Sequence, residues 1–243
     1  MASLTGRKVI VVGGSSGIGL GVAEAALGRG AELVLVGRSP KKLEAASAAL
    51  SSKGRVEALA ADMTREHEIA RVFERAGAFD HLVSTAGAAP PGDPIELTDL
   101  DVVRRFVESK LLGAVLLAKH AVRGLRKGGS LTFTSGINKD RPPIPGGAVV
   151  SAIAGSFDYL ARALSLELAP CRVNVVSPGW VDTPMFDELV GDAKQGYFES
   201  LAKRLPSGKT AVPSDIAPAY VYLMESEFTT GETIHIDGGQ RLI

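Results

Sequence analysis

Apolar residues along this chain fall into two rhythms. Short runs rich in Val, Ile and Leu (KVIVV, AELVLV, RVEALA, DHLVST, GSLTFT, CRVNVV and TIHID) have the length and composition of strands. The longer segments between them place apolar residues three or four apart, as at Leu160, Leu164 and Leu168, which predicts helices with one face turned inward. A strand that is apolar throughout must be covered on both faces, and alternation with helices supplies the cover, so the pattern predicts a parallel sheet wound on both sides. No Pro/Gly/Ser-rich linker and no fixed-period repeat breaks the pattern, which makes residues 1–243 one doubly wound α/β domain.

Composition narrows the class of partner. With 45% hydrophobic residues the chain can bury a large core, and its 27 basic and 27 acidic residues cancel, leaving no overall field to attract nucleic acid or an anionic membrane. A small-molecule substrate is the expected partner, and no metal site is expected. Cys171 is the only cysteine, which excludes an internal disulfide and fits a reducing compartment. Its place at the start of CRVNVV predicts a small buried hydrophobe and not a nucleophile. The N-terminal lead passes straight into a strand, with no signal-peptide profile and no spanning run of about 18 apolar residues, so the expected location is cytoplasmic.

The first chemical signal is VVGGSSGIG, where Gly13, Gly17 and Gly19 end a strand and open a helix. Glycines there let the backbone turn tightly against a pyrophosphate, whose charge meets the free N–H groups and positive end of the helix. Ser15, Ser16 and Ile18 belong to the same turn. The second strand selects the cofactor. An NAD site ends this strand with a carboxylate for the ribose hydroxyls, whereas LVLVGRS has Gly37 there, followed by Arg38 and Ser39. With no acid to repel a 2′-phosphate and a guanidinium able to grip it, NADP(H) is expected; the alternative for Arg38 is a solvated surface charge.

Nearly the whole chain resembles the short-chain dehydrogenase/reductase family. The resemblance rests on GGSSGIG, on DMT at Asp62 and Met63, on STAG ending in Ala86 and Gly87, and on ALSLELAP, RVNVVSPGWVDTP and TGETIHIDGG. It implies a single-domain Rossmann-type sheet of about seven strands, with the cofactor at the strands' carboxyl ends. It also implies adenine contacts at Asp62, adenosine-ribose contacts at Ala86 and Gly87, and a nicotinamide flanked by Pro178, Gly179, Val181 and Thr183. A substrate lid is implied between Pro184 and roughly Pro213, and a homodimer or homotetramer.

The same resemblance raises a chemical problem. The family's reaction uses a tyrosine acid, a lysine one turn later, a serine that polarises the carbonyl and a helix asparagine, and these fall at Val150, Ala154, Gly136 and Lys110. Of the neighbours able to substitute, Ser135 is one residue from the serine position and Lys110 brings an ammonium onto the helix beside the one that lost it. Tyr159 falls on the opposite face of its helix from Val150 and is expected to pack or form an interface.

INKDRPPIPGG, stiffened by three prolines, is expected to wall the substrate pocket, with Arg141 and Asp140 binding a polar substrate or each other. Trp180 offers a flat apolar wall for an aromatic ligand or else packs in the core. Phe157, Leu160 and Leu164 are expected to form a self-association face. Two functions fit: an NADP(H)-dependent oxidoreductase acting on an already electrophilic substrate without the usual acid, or a non-catalytic NADP(H)-binding redox sensor or silent subunit of a mixed oligomer.

Overall fold

The computed structural model describes residues 3–243, the side chain of Glu188 excepted. Seven strands, β1 (Lys8–Val12), β2 (Glu32–Gly37), β3 (Val56–Ala60), β4 (Phe79–Ser84), β5 (Leu125–Thr134), β6 (Arg172–Pro178) and β7 (Thr233–Ile236), form one sheet. Its order is 3-2-1-4-5-6-7 and every pairing is parallel. The apolar runs predict all seven. Only β5 differs materially: it begins at Leu125, upstream of Gly128 and Gly129, whose lack of side chains hides the strand signal.

Alternate strand residues feed opposite faces. Val9, Val11, Leu33 and Leu35 join α1 (Gly17–Leu27), α2 (Pro40–Leu50) and α9 (Pro213–Glu225) in one core layer. Ile10, Val12, Val34 and Val36 join α3 (Glu66–Ala76), α5 (Gly113–Ala121) and α6 (Gly147–Glu167) in the other. This double cover is why the strands tolerate apolar residues at consecutive positions. A single domain of Rossmann type results, with its switch point between β1 and β4, where the order reverses.

Burial sharpens the reading of α6 and of Cys171. Phe157 is buried in the second layer, and Leu160 and Leu164 are partly buried against it, so this stripe packs on the sheet side of the helix. The period had identified an apolar stripe but not what covers it. The exposed side of α6 carries Tyr159 and Leu166 instead. Cys171 is only half-buried, its thiol donating to the Arg126 carbonyl at 3.4 Å. Finally, α6 is long and apolar enough to cross a membrane by length and composition, although Val150, Ala154, Phe157 and Ala161 on it are buried in the protein, as in a core helix.

Before α5, the chain runs through α4 (Leu100–Val107) and a π-helical turn, Glu108–Leu112. After β6 come the short helices α7 (Pro184–Val190) and α8 (Lys194–Arg204), within the stretch expected to form a lid. A parallel bridge between Val181 and Ala211, with Asp182 N–H donating to the Ala211 carbonyl at 2.8 Å, closes the base of this excursion.

Candidate active site

At the carboxyl ends of the strands lies a cleft of about 650 Å³. Its first wall is the turn from β1 into α1. Gly13 has φ +88°, and a Cβ on Gly19 would stand 2.2 Å from the Gly13 carbonyl and 2.5 Å from Thr85 Oγ1. Only backbone fits at these positions, and it forms a cradle open to the cleft. Ser16 caps α1 in extended conformation without a side-chain bond, so the first N–H groups of that helix stay free for an anion. Ser15, Ser16, Gly17 and Ile18 also line the cleft.

The far wall carries Gly37, Arg38, Ser39, Asp62 and Met63, and also Lys42 and Thr64. Ser39 has a second duty as the cap of α2, accepting from Lys42 N–H at 3.3 Å. Burial pushes the Asp62 carboxyl up, but hydrogen bonds from Thr64 N–H and hydroxyl, with the charges of Arg38 and Arg65, outweigh it and hold the group below its ordinary value. Asp62 is therefore an anion already engaged by its own turn. β2 ends at Gly37 with no carboxylate, and two cations, Arg38 and Lys42, line the cleft just beyond it. This arrangement fits a dinucleotide: a backbone cradle for the diphosphate, flanked by a basic adenosine end.

The rest of the cleft is lined by Ala86 and Gly87 after β4, by Ser135 to Asn138 after β5, and by Pro178, Gly179, Trp180, Val181 and Thr183 after β6. β5 ends at Thr134, so Ser135 escapes strand alternation and reaches the cleft lining. Its hydroxyl, however, donates to the Ala154 carbonyl at 2.7 Å, which directs the proton at α6 and not at a ligand. Val150 and Ala154 are buried on α6 and Gly136 faces the cleft. Among the described residues lining the cleft there is no tyrosine. Tyr159 is exposed on α6, with the Arg162 guanidinium over its ring.

Lys110 also lines the cleft, half-buried in the π-helical turn. Its Cδ lies 2.9 Å, and its Nζ 3.4 Å, from where a side chain on residue 87 would begin, and Nζ sits 5.7 Å from the centroid of the Phe157 ring. Among the described residues it has no hydrogen bond or ion pair. Burial pushes its ammonium down to about 8.

Arg141 is exposed and outside the cleft lining. Asp140 pairs with Lys139 and His235, each at 3.2 Å, and not with Arg141. The proline loop contributes a different side chain. Asn138 Oδ1 accepts from the Trp180 indole N–H at 3.3 Å, while Trp180 N–H donates to Gln240 Oε1 at 3.0 Å. Trp180 stacks on Tyr197 at 4.9 Å and lies 5.8 Å from Phe186, so it is at once a cleft wall and a packing anchor for α7 and α8. Phe186 and Met185 extend the apolar wall from α7. These contacts join segments distant in sequence, and no local pattern announces them.

The chain matches the family described as Enoyl-(Acyl carrier protein) reductase over residues 12–241. It is 32% identical to the short-chain dehydrogenase/reductase ucsE of Acremonium sp, covering 96% of this chain and 94% of that one. Its fold superposes on the MalC reductase/Diels–Alderase of Malbranchea aurantiaca with a TM-score of 0.92, at 29% identity and over 99% and 98% of the two chains. The L-sorbose reductase of Gluconobacter frateurii, solved with NADPH and L-sorbose, superposes at 0.90, with 26% identity over 100% of each chain. Fold, glycine cradle and end-to-end similarity agree: the chain belongs to the short-chain dehydrogenase/reductase family, whose members use a nicotinamide cofactor.

Proposed function

We propose that the protein is an NADP(H)-dependent oxidoreductase that transfers hydride to a small, already electrophilic substrate without a tyrosine acid. One observation carries the reading. The cleft keeps a complete dinucleotide-facing lining from Gly13 to Thr183, yet its described residues include no tyrosine. A bound nicotinamide supplies the hydride, and the transfer itself needs distance and angle more than a proton donor. Loss of a positioned acid costs about 10² to 10⁴ in rate, which leaves an ordinary ketone a poor substrate. An iminium, an oxocarbenium or a conjugated system tolerates the loss. Arg38 and Lys42 are the grip for a 2′-phosphate, and the solved relative carrying NADPH supports the phosphorylated cofactor. Lys110 is the charged group offered to the ribose or the substrate.

The commitment of Ser135 to the Ala154 carbonyl, together with Val150 and Ala154 on α6, favours a second reading: an NADP(H)-binding sensor or the silent subunit of a mixed oligomer. NADPH fluorescence titration, followed by a turnover screen with imines, enones and quinones, separates the two. Binding with turnover supports the oxidoreductase, binding without turnover supports the sensor, and no binding sinks both. The assembly we propose is a cytoplasmic homodimer or homotetramer.

A further inference from the structure

Resting on the oxidoreductase reading, we propose that the Lys110 ammonium meets an oxygen that becomes negative during the reaction. The substrate is then a neutral conjugated carbonyl with an aromatic body, an enone or a quinone, and not a preformed cation.

Charge placement carries this assignment. Among the described residues the cations lining the cleft are Arg38, Lys42 and Lys110, and the single lining acid is Asp62. Arg38, Lys42 and Asp62 share the adenosine end, and Asp62 is engaged by Thr64. Lys110 stands apart from them, between Gly87 and Phe157, with no counter-ion among the described residues. Lys139, the nearest basic residue of the proline loop in sequence, is taken by Asp140 and Asp158 at 3.2 and 3.1 Å. Away from Arg38 and Lys42 the cleft therefore carries an uncompensated positive charge, and its lining also includes the apolar side chains of Trp180, Met185 and Phe186. Such a field repels an iminium and attracts an oxygen that is gaining charge. Phe157 holds the ammonium by its ring face without consuming any of its three donors.

In the proposed step, a bound dihydronicotinamide would supply the hydride for a new C–H bond at the β-carbon of the enone. The C=C π bond breaks, its electrons shift through the conjugated system onto the carbonyl oxygen, and a Lys110 N–H proton moves to that oxygen. Solvent then reprotonates the amine, and the enol becomes the saturated ketone. The lowered proton affinity of Lys110 suits a donor that remains charged at neutral pH.

The test uses Trp180, the only tryptophan in the chain, as reporter. Quenching of its fluorescence by 4-nitrophenylacetate and by 4-nitrophenethylammonium is compared on NADP⁺-loaded protein. The anion is expected to bind about tenfold more tightly, a preference that Lys110→Met abolishes and Lys110→Arg retains, with NADPH affinity preserved. Equal affinities in the wild type, or a preference unchanged in Lys110→Met, would overturn the assignment. Enone turnover is expected to decline above about pH 8, and Lys110→Arg to remove that limb. NADPH oxidation by a cyclic iminium faster than by enones sinks the charge assignment while leaving hydride transfer standing. Bound NADPH with no turnover of any substrate sinks both.

Discussion

The Ser135 hydroxyl donates to the main-chain carbonyl of Ala154 at 2.7 Å, tying the end of β5 to the middle of α6. A proton committed to a buried carbonyl is a structural one. Ser135→Ala is expected to cost about 1 kcal/mol, a fall in Tm of roughly 2–4 °C, and to leave turnover unchanged. Thermal melts and steady-state rates check it; a loss of about 10² in kcat would return Ser135 to the chemistry.

Gly19 sits where a methyl group would stand 2.2 Å from the Gly13 carbonyl. Gly19→Ala must displace the cradle, so dinucleotide binding is expected to disappear while the far-UV circular dichroism spectrum remains that of an α/β fold. An NADPH affinity equal to wild type would show that the cradle does not hold the cofactor.

Arg38 and Lys42 line the cleft just beyond the end of β2, where an NAD site has its acid. Arg38→Ala is expected to weaken NADPH binding about tenfold or more and to leave NADH binding nearly unaltered, because only the phosphorylated cofactor offers an anion there. Adding Lys42→Ala should enlarge the loss. Equal losses for both cofactors would mean that Arg38 contacts something other than the 2′-phosphate.

At the opposite end of the sheet, buried Asp80 receives Lys8 N–H at 2.9 Å and the guanidinium groups of Arg7 and Arg126 at 2.9 and 2.7 Å. Burial pushes its carboxyl up, but these bonds and charges prevail and hold it below its ordinary value of 3.8. A depressed carboxyl stabilises the fold fully above the unfolded value, and that stability drains away as pH falls through 3.8 towards the folded one. Both arginines are about half exposed, so solvent screens the pairs, and Asp80→Asn is expected to cost about 1–3 kcal/mol at pH 7. In urea unfolding the gap between variant and wild type should close below pH 4; a constant gap would assign the effect to shape alone.

All seven strands and the glycine cradle were legible because each rests on local physics, a run of branched residues or a turn only glycine can make. Arg38 and Trp180 were legible because each sits next to such a run, and both line the cleft. Lys42, Asn138 and Phe186 were not: Lys42 lies in the first turn of α2, Asn138 is held by the Trp180 indole N–H, and the Phe186 ring packs at a tilt 5.8 Å from that of Trp180. Phe157, Leu160 and Leu164 had the right period, and Phe157 turns out to be buried against the sheet. Periodicity identifies an apolar stripe and leaves open whether the sheet or a second subunit covers it.

The widened turn at Glu108–Leu112 has a geometric corollary. A regular helix advances about 100° per residue, and a π turn absorbs one residue more than an α turn. Phe106 before the turn and Ala114, Leu117 and Ala118 after it are all buried, while Lys110 between them faces the cleft. Deleting a single residue such as Leu111 would tighten the spiral and bring the flanking stretches out of phase. One helix would then have to choose between seating its apolar side chains and presenting its ammonium, a choice that the bulge removes.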